Sequence, residues 1–153
     1  MRFLFVLGIL CVLSGPESVL AQESKSPPVA DPALAKQLGA DERGMRHYVL
    51  VILTTGPHRV PDGSARDEMF KGHFANIQRL ADMGRLVVAG PFGGTSDWRG
   101  MFVFAVESQE EAEQLVATDP VIKSGEMIAE YHPWYSSAAL MMVNEIHKKV
   151  SPE

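Results

Sequence analysis

"MRHYVLVILTTG", residues 45–56, decides the fold. Its β-branched and aromatic residues predict a strand. Alternation puts Tyr48, Leu50 and Ile52 on one side and Val49, Val51 and Leu53 on the other. Both sides are apolar, so both must be covered. "RLVVAGPF" (85–92) and "GMFVFAVE" (100–107) read the same way, with Phe102 and Phe104 opposite Met101, Val103 and Ala105. The turn-rich "GGTSDWRG" (93–100) joins these two as an antiparallel hairpin. "EMIAEYHPWYS" (126–136) is a fourth strand, and Pro133 requires a sheet edge for it.

Two helices lie between the strands. In "FKGHFANIQRLADMG" (70–84), Phe70, Phe74, Ile77, Leu80 and Ala81 recur at helical spacing. The loop "PHRVPDGSARDE" (57–68) leads into it, with Ser64 predicted as the cap and Asp67 and Glu68 in the first turn. Gly84 is placed to end it in a left-handed conformation. In "SQEEAEQLVATDP" (108–120), Ser108 and Glu111 predict a capping box, and Pro120 is expected to stop the helix. The order β-α-β-β-α-β predicts an α+β fold of the ferredoxin-like, split βαβ kind, an antiparallel sheet with both helices on one face. The other face then needs a cover, and a second copy is the simplest one. A homodimer packed through its sheet faces is therefore expected.

The ends read differently. "MRFLFVLGILCVLSG" offers Arg2, an apolar run, Gly15-Pro16, and the small-residue site before Gln22. That predicts a secretory signal peptide over residues 1–21. The run is well short of the roughly 20 residues that span a bilayer, so no membrane association is expected after cleavage. Cys11 is the only cysteine and falls inside this segment, which leaves the mature chain without disulfide, thiolate or cysteine-metal chemistry. Residues 22–44 are polar and Pro-containing, a linker in which Asp31 and Pro32 can start a short helix; its deletion is expected to leave the domain folded. The domain spans 45–135, and residues 136–153 form a helix or a partner-contacting tail, where Met141 and Met142 suit adaptable packing. Across 153 residues the net charge is −5 and Lys and Arg are scattered, which argues against nucleic acid as a partner. The expected location is the periplasm or the extracellular space.

The element order and its landmarks resemble the YCII-related family, allied to the dimeric α+β barrels. The matching residues are His73 in mid-helix followed by Leu80 and Gly84, then Ala89-Gly90-Pro91, Ser108 with Glu110-Glu111-Ala112, Asp119-Pro120, Gly125 and Pro133-Trp134. The likeness covers about residues 45–135. It implies a His–Asp pair in a pocket between helix and sheet, carried here by His73 and Asp119. It also implies small-molecule chemistry: a few relatives remove chloride from chlorinated hydroxyquinols, and the barrel's relatives include lactone isomerases. The signal peptide, the linker and the tail depart from the short family pattern.

On the residues alone, both members of that pair have an ordinary reading. His73 shares its helical stripe with Phe70, Phe74 and Ile77, which suits a core histidine bonded to backbone as well as a group facing a pocket. Asp119 before Pro120 suits a turn. If the two meet, the carboxylate fixes the tautomer and stabilises the protonated ring, leaving the other nitrogen for substrate. Gly90, Pro91, Arg99, Tyr131 and Trp134 are the candidate substrate contacts, with Trp134 equally suited to anchor a dimer and Trp98 to a rim. "AGPFGG" (89–94) lacks the GxGxxG spacing and a following helix, so it predicts no phosphate cradle; Gly90 is instead expected to allow a close approach to backbone. Ser108 is explained by its cap. His47, His58, His132 and His147 fall on separate elements, so no metal is expected, and no cofactor either. These readings describe an exported, cofactor-free acid–base enzyme of the lyase or isomerase type acting on a small molecule. The alternative is a non-catalytic dimeric domain for ligand binding or assembly.

Overall fold

The strand read from residues 45–56 is β1, Met45–Thr55, in a computed structural model that describes residues 29–94 and 96–151. The expected signal peptide and the linker up to residue 28 lie outside the described residues. β2 is Leu86–Pro91, β3 is Trp98–Phe104 and β4 is Met127–Ser137. They form a four-stranded sheet in the order β2-β3-β1-β4. Every pairing is antiparallel, with Val51 opposite both Phe102 and Tyr131. Pro133 sits on an edge strand, where its missing N–H costs no ladder bond.

Alternation divides the strands as their side chains require. Val49, Val51, Leu53, Phe102 and Phe104 are buried on one face, under the helices. The described α-helices are α1 (Pro32–Gln37), α2 (Ser64–Asp82), α3 (Gln109–Val116), α4 (Pro120–Lys123) and α5 (Val143–Val150), and α2, α3 and α4 are the ones that pack on this face. Leu80 of α2, Ala112 and Val116 of α3 and Val121 of α4 close the core over that face. The layout is the expected α+β, ferredoxin-like one.

Helix ends depart from the sequence reading in three places. Ser64 does not cap α2: it is already the first helical residue, and Gly63 at φ +134° precedes it with no side-chain cap. Glu111 makes only half of a capping box. Ser108 Oγ accepts its N–H at 3.2 Å, but its carboxylate is held by the Glu107 N–H at 3.3 Å and by Arg85 at 2.8 Å. Pro120 does more than stop a helix. α3 has already ended, and Pro120 opens α4 behind the cap Asp119, a position where its missing N–H is harmless. Gly84 does take the left-handed conformation, at φ +67°.

The opposite face carries Tyr48, Val87, Val103 and Ala105. A 3₁₀ turn, Ala138–Met142, folds back over part of it and lays Leu140 and Met141 against those residues. α5 continues beside β2, pinned by Asn144 Nδ2 donating to the Leu86 carbonyl at 2.8 Å. Ile128 and Trp134 on β4 stay 48% and 37% exposed, so the tail leaves that edge open. α1 carries no buried residue, yet its segment is docked: Arg46 donates to the Leu38 carbonyl at 2.9 Å, and Asp41 accepts from Tyr135 and from the Met45 N–H. Among the described residues no helix is long and apolar enough to cross a membrane.

Candidate active site

The apolar stripe of α2 holds two polar residues one turn apart, His73 and Asn76, and both are buried. Burial of such groups demands partners. His73 finds one in Asp119, whose oxygens lie 3.0 and 2.9 Å from Nδ1. A carboxylate only accepts, so the proton of this contact sits on Nδ1. Nε2 makes no hydrogen bond among the described residues. Phe70 meets the ring edge-on at 6.1 Å, and Phe74 and Phe102 lie tilted at 5.3 and 6.2 Å, so the imidazole is held on three sides by aromatic carbon.

Asp119 is fixed from its own element. As the cap of α4 it accepts the Val121 N–H on Oδ1 at 3.1 Å. Asn76 Nδ2 approaches Oδ2 at 3.5 Å. Arg79 sets that amide's orientation by donating to Asn76 Oδ1 at 2.7 Å and to Thr118 Oγ1 at 3.0 Å. A cation thus stands one side chain behind the carboxylate, and the order Arg79, Asn76, Asp119, His73 runs as one chain of contacts between α2 and the α3–α4 junction.

His73 also forms part of the wall of a cavity of about 490 Å³ between α2 and the β2–β3 hairpin. Phe70, Phe74 and Ile77 line it from the helix, and Pro91, Arg99 and Phe102 from the strands. The volume suits a small organic molecule, and the lining is mostly hydrocarbon with few polar groups, the usual make-up of a small-ligand site. Since Nδ1 turns to Asp119, Nε2 is the ring nitrogen left for the cavity.

Near the same cavity a buried carboxylate gathers several cations. Glu126, just before β4, accepts the Val60 N–H at 2.7 Å and pairs with Arg66 at 2.8 Å. Arg59 and Arg99 stand farther off, at 3.9 and 3.8 Å. The Arg66 hydrogen bond holds the Glu126 carboxyl below the usual carboxylate range, aided by the Val60 N–H and the nearby charges and opposed by burial. Arg66 itself stacks over Phe70, with Cζ 4.9 Å from the ring centre.

Of the residues singled out from sequence, the structure brings His73, Gly90, Pro91 and Arg99 around one cavity, with Asp119 behind His73. Tyr131 and Trp134 stand elsewhere. Tyr131 packs on the core beneath the helices, and burial pushes its phenol up, with the Glu113 charge acting the same way. Trp134 faces the other side of the sheet, opposite Tyr48, with the rings 6.1 Å apart. Gly90 lines the cavity, and a Cβ there would meet no protein atom within 4 Å; a Cβ at Gly100 would meet the Gly90 carbonyl at 3.0 Å. Sequence reasoning misses Asn76, Arg79, Glu126 and Arg66. Asn76 alone leaves a readable signal, since it falls three residues after His73 on the apolar stripe. Among the described residues no three His, Cys, Asp or Glu side chains gather as a metal site would require.

No curated protein matches the chain. Among solved structures it is similar to the 5-chloro-2-hydroxyhydroquinone dehydrochlorinase of Burkholderia phenoliruptrix AC1100, in complex with 2,5-dihydroxybenzoquinone. The two are 24% identical over 57% of this chain and 92% of that one, with a TM-score of 0.43. The YCII-related domain profile matches residues 46–135, more than half of the sequence. The chain belongs to the YCII-related domain family.

Proposed function

We propose that this protein is an exported, cofactor-free enzyme in which His73 transfers a proton and Asp119 orients its ring, in a reaction of the lyase or isomerase type on a small organic substrate. The observation that carries the reading is the pairing of both Asp119 oxygens with Nδ1 of a ring that forms a cavity wall. Such a pair leaves one nitrogen to take a proton from a carbon or hydroxyl and return it elsewhere, which isomerisation and elimination both need. The step draws only on side chains already named. Nitrogen-15 NMR of the His73 ring at neutral pH tests the pairing: the proton should reside on Nδ1, and Asp119→Asn should release it to either nitrogen. Screening lactones and halogenated phenols, with His73→Ala as the control, tests the chemistry. A ring whose tautomer ignores Asp119, together with no His73-dependent turnover, would return the domain to a binding or assembly role.

The open edge of the second sheet face supports a homodimer in this proposal. Ile128 and Trp134 are exposed there beside a cluster that the tail covers only in part. Light scattering of the purified protein reads the mass directly, and Trp134→Glu should yield monomers. Export rests on the sequence of residues 1–21 and is tested by finding Gln22 as the first residue of protein recovered outside the cytoplasm.

A further inference from the structure

Arg99 occupies a break in the sheet. Across β1 and β3, Leu53 pairs with Gly100 and Thr54 with Trp98, so Arg99 is an extra residue with no partner on β1. This is a β-bulge, a device that re-aims a side chain. Strict alternation would send Arg99 to the far face of the sheet with Met101 and Val103, yet its side chain lines the cavity on the helix face, the one that holds His73.

Its charge is also among the loosely held ones. In the cluster around Glu126, the carboxylates of Glu126 and Asp62 face the guanidiniums of Arg59, Arg66 and Arg99. Arg66 takes Glu126 at 2.8 Å and Arg59 takes Asp62 at 3.2 Å. Arg99 is left with one 3.8 Å approach to Glu126, and its side chain donates no hydrogen bond among the described residues. A guanidinium with free donors at the edge of an aromatic-walled hollow is a carboxylate receptor, because its planar fork matches two oxygens at once.

The geometry points to a substrate class: a small unsaturated or aromatic acid, its apolar body against Phe70, Phe74 and Phe102 and its carboxylate on Arg99. This inference rests on reading the same cavity as the reacting site. It also gives the pocket a direction, since the anion is drawn to the strand side while His73 works from the helix side.

Benzoate and its neutral isostere benzamide, titrated into the purified protein by calorimetry, test it. Benzoate should bind at least tenfold more tightly than benzamide, and raising the salt should weaken benzoate alone. Arg99→Gln should abolish the preference, and Arg99→Lys should retain part of it. Equal affinities in the wild type, no benzoate binding at millimolar concentration, or a preference that survives Arg99→Gln overturns the inference. The acid–base reading is scored separately by the ring tautomer and by turnover. A failed benzoate preference beside an Asp119-dependent tautomer removes the substrate class alone, and the reverse outcome removes the chemistry alone.

Discussion

Asp119 Oδ1 and Oδ2 lie 3.0 and 2.9 Å from His73 Nδ1 while Oδ1 also receives the Val121 N–H at 3.1 Å. One carboxylate therefore starts α4 and orients an imidazole on α2. The two duties can be separated by substitution. Asparagine caps helices as well as aspartate, so Asp119→Asn should change stability by less than about 1 kcal/mol. Asp119→Ala loses both the cap and a buried hydrogen bond and should cost about 2 kcal/mol. Urea unfolding measures both, and turnover should fall in both.

Under the proposed reaction Asn76 and Arg79 act as positioning residues, because neither lines the cavity. Asn76→Ala removes one donor from Asp119 Oδ2 and leaves the Arg79 guanidinium with only Thr118 and Met83 as side-chain partners. On any substrate the wild type converts, kcat should drop about tenfold through misplacement of the pair. KM should stay within about twofold, a split that loss of fold does not produce.

The Glu126 cluster sets an acid limit. Its carboxyl is lowered from the ordinary 4.5 by Arg66 first of all. A carboxyl lowered in the folded state adds stability above its unfolded value and loses it as pH falls through the lowered one. Glu126→Gln should therefore be about 3 kcal/mol less stable at pH 7, having left Arg66 without its buried partner. The gap to wild type should close as pH drops below the ordinary carboxylate value. Urea titrations at stepped pH track how far it closes.

Two glycines should answer alanine in opposite ways. A Cβ at Gly56 would sit 2.1 Å from the Gly125 carbonyl oxygen, backbone that cannot yield cheaply. Gly56→Ala should cost about 3 kcal/mol. A Cβ at Gly90 meets nothing within 4 Å, and Gly90→Ala should stay within about 1 kcal/mol of wild type. Thermal unfolding of the pair makes the comparison.

The strands and both faces of the sheet are legible because side-chain alternation states them outright: Phe102 and Phe104 against Met101 and Val103 can be sorted without coordinates. Helix starts are less so, since Ser64 and Gly63 differ by one residue and only the backbone decides which stands outside the helix. Pro120 reads as an ending because a proline can close one helix or open the next with equal ease, and nothing local tells the two apart. Glu126 leaves no trace in its own neighbourhood: its partners Val60 and Arg66 lie 66 and 60 residues away along the chain. Trp134, a family landmark, and Tyr131 close to it in sequence are separated from the cavity by the pleat and by the length of β4.

The surplus residue at position 99 shifts the phase of a strand by a single step. Downstream hydrophobes keep their sides, while one cation crosses from the outer surface to the hollow. Deleting Trp98 would restore an unbroken ladder, set Arg99 opposite Thr54 and carry the positive charge back outside. The charge presented to such a hollow can thus be gained or lost by an insertion of minimal length, without exchanging any other wall residue.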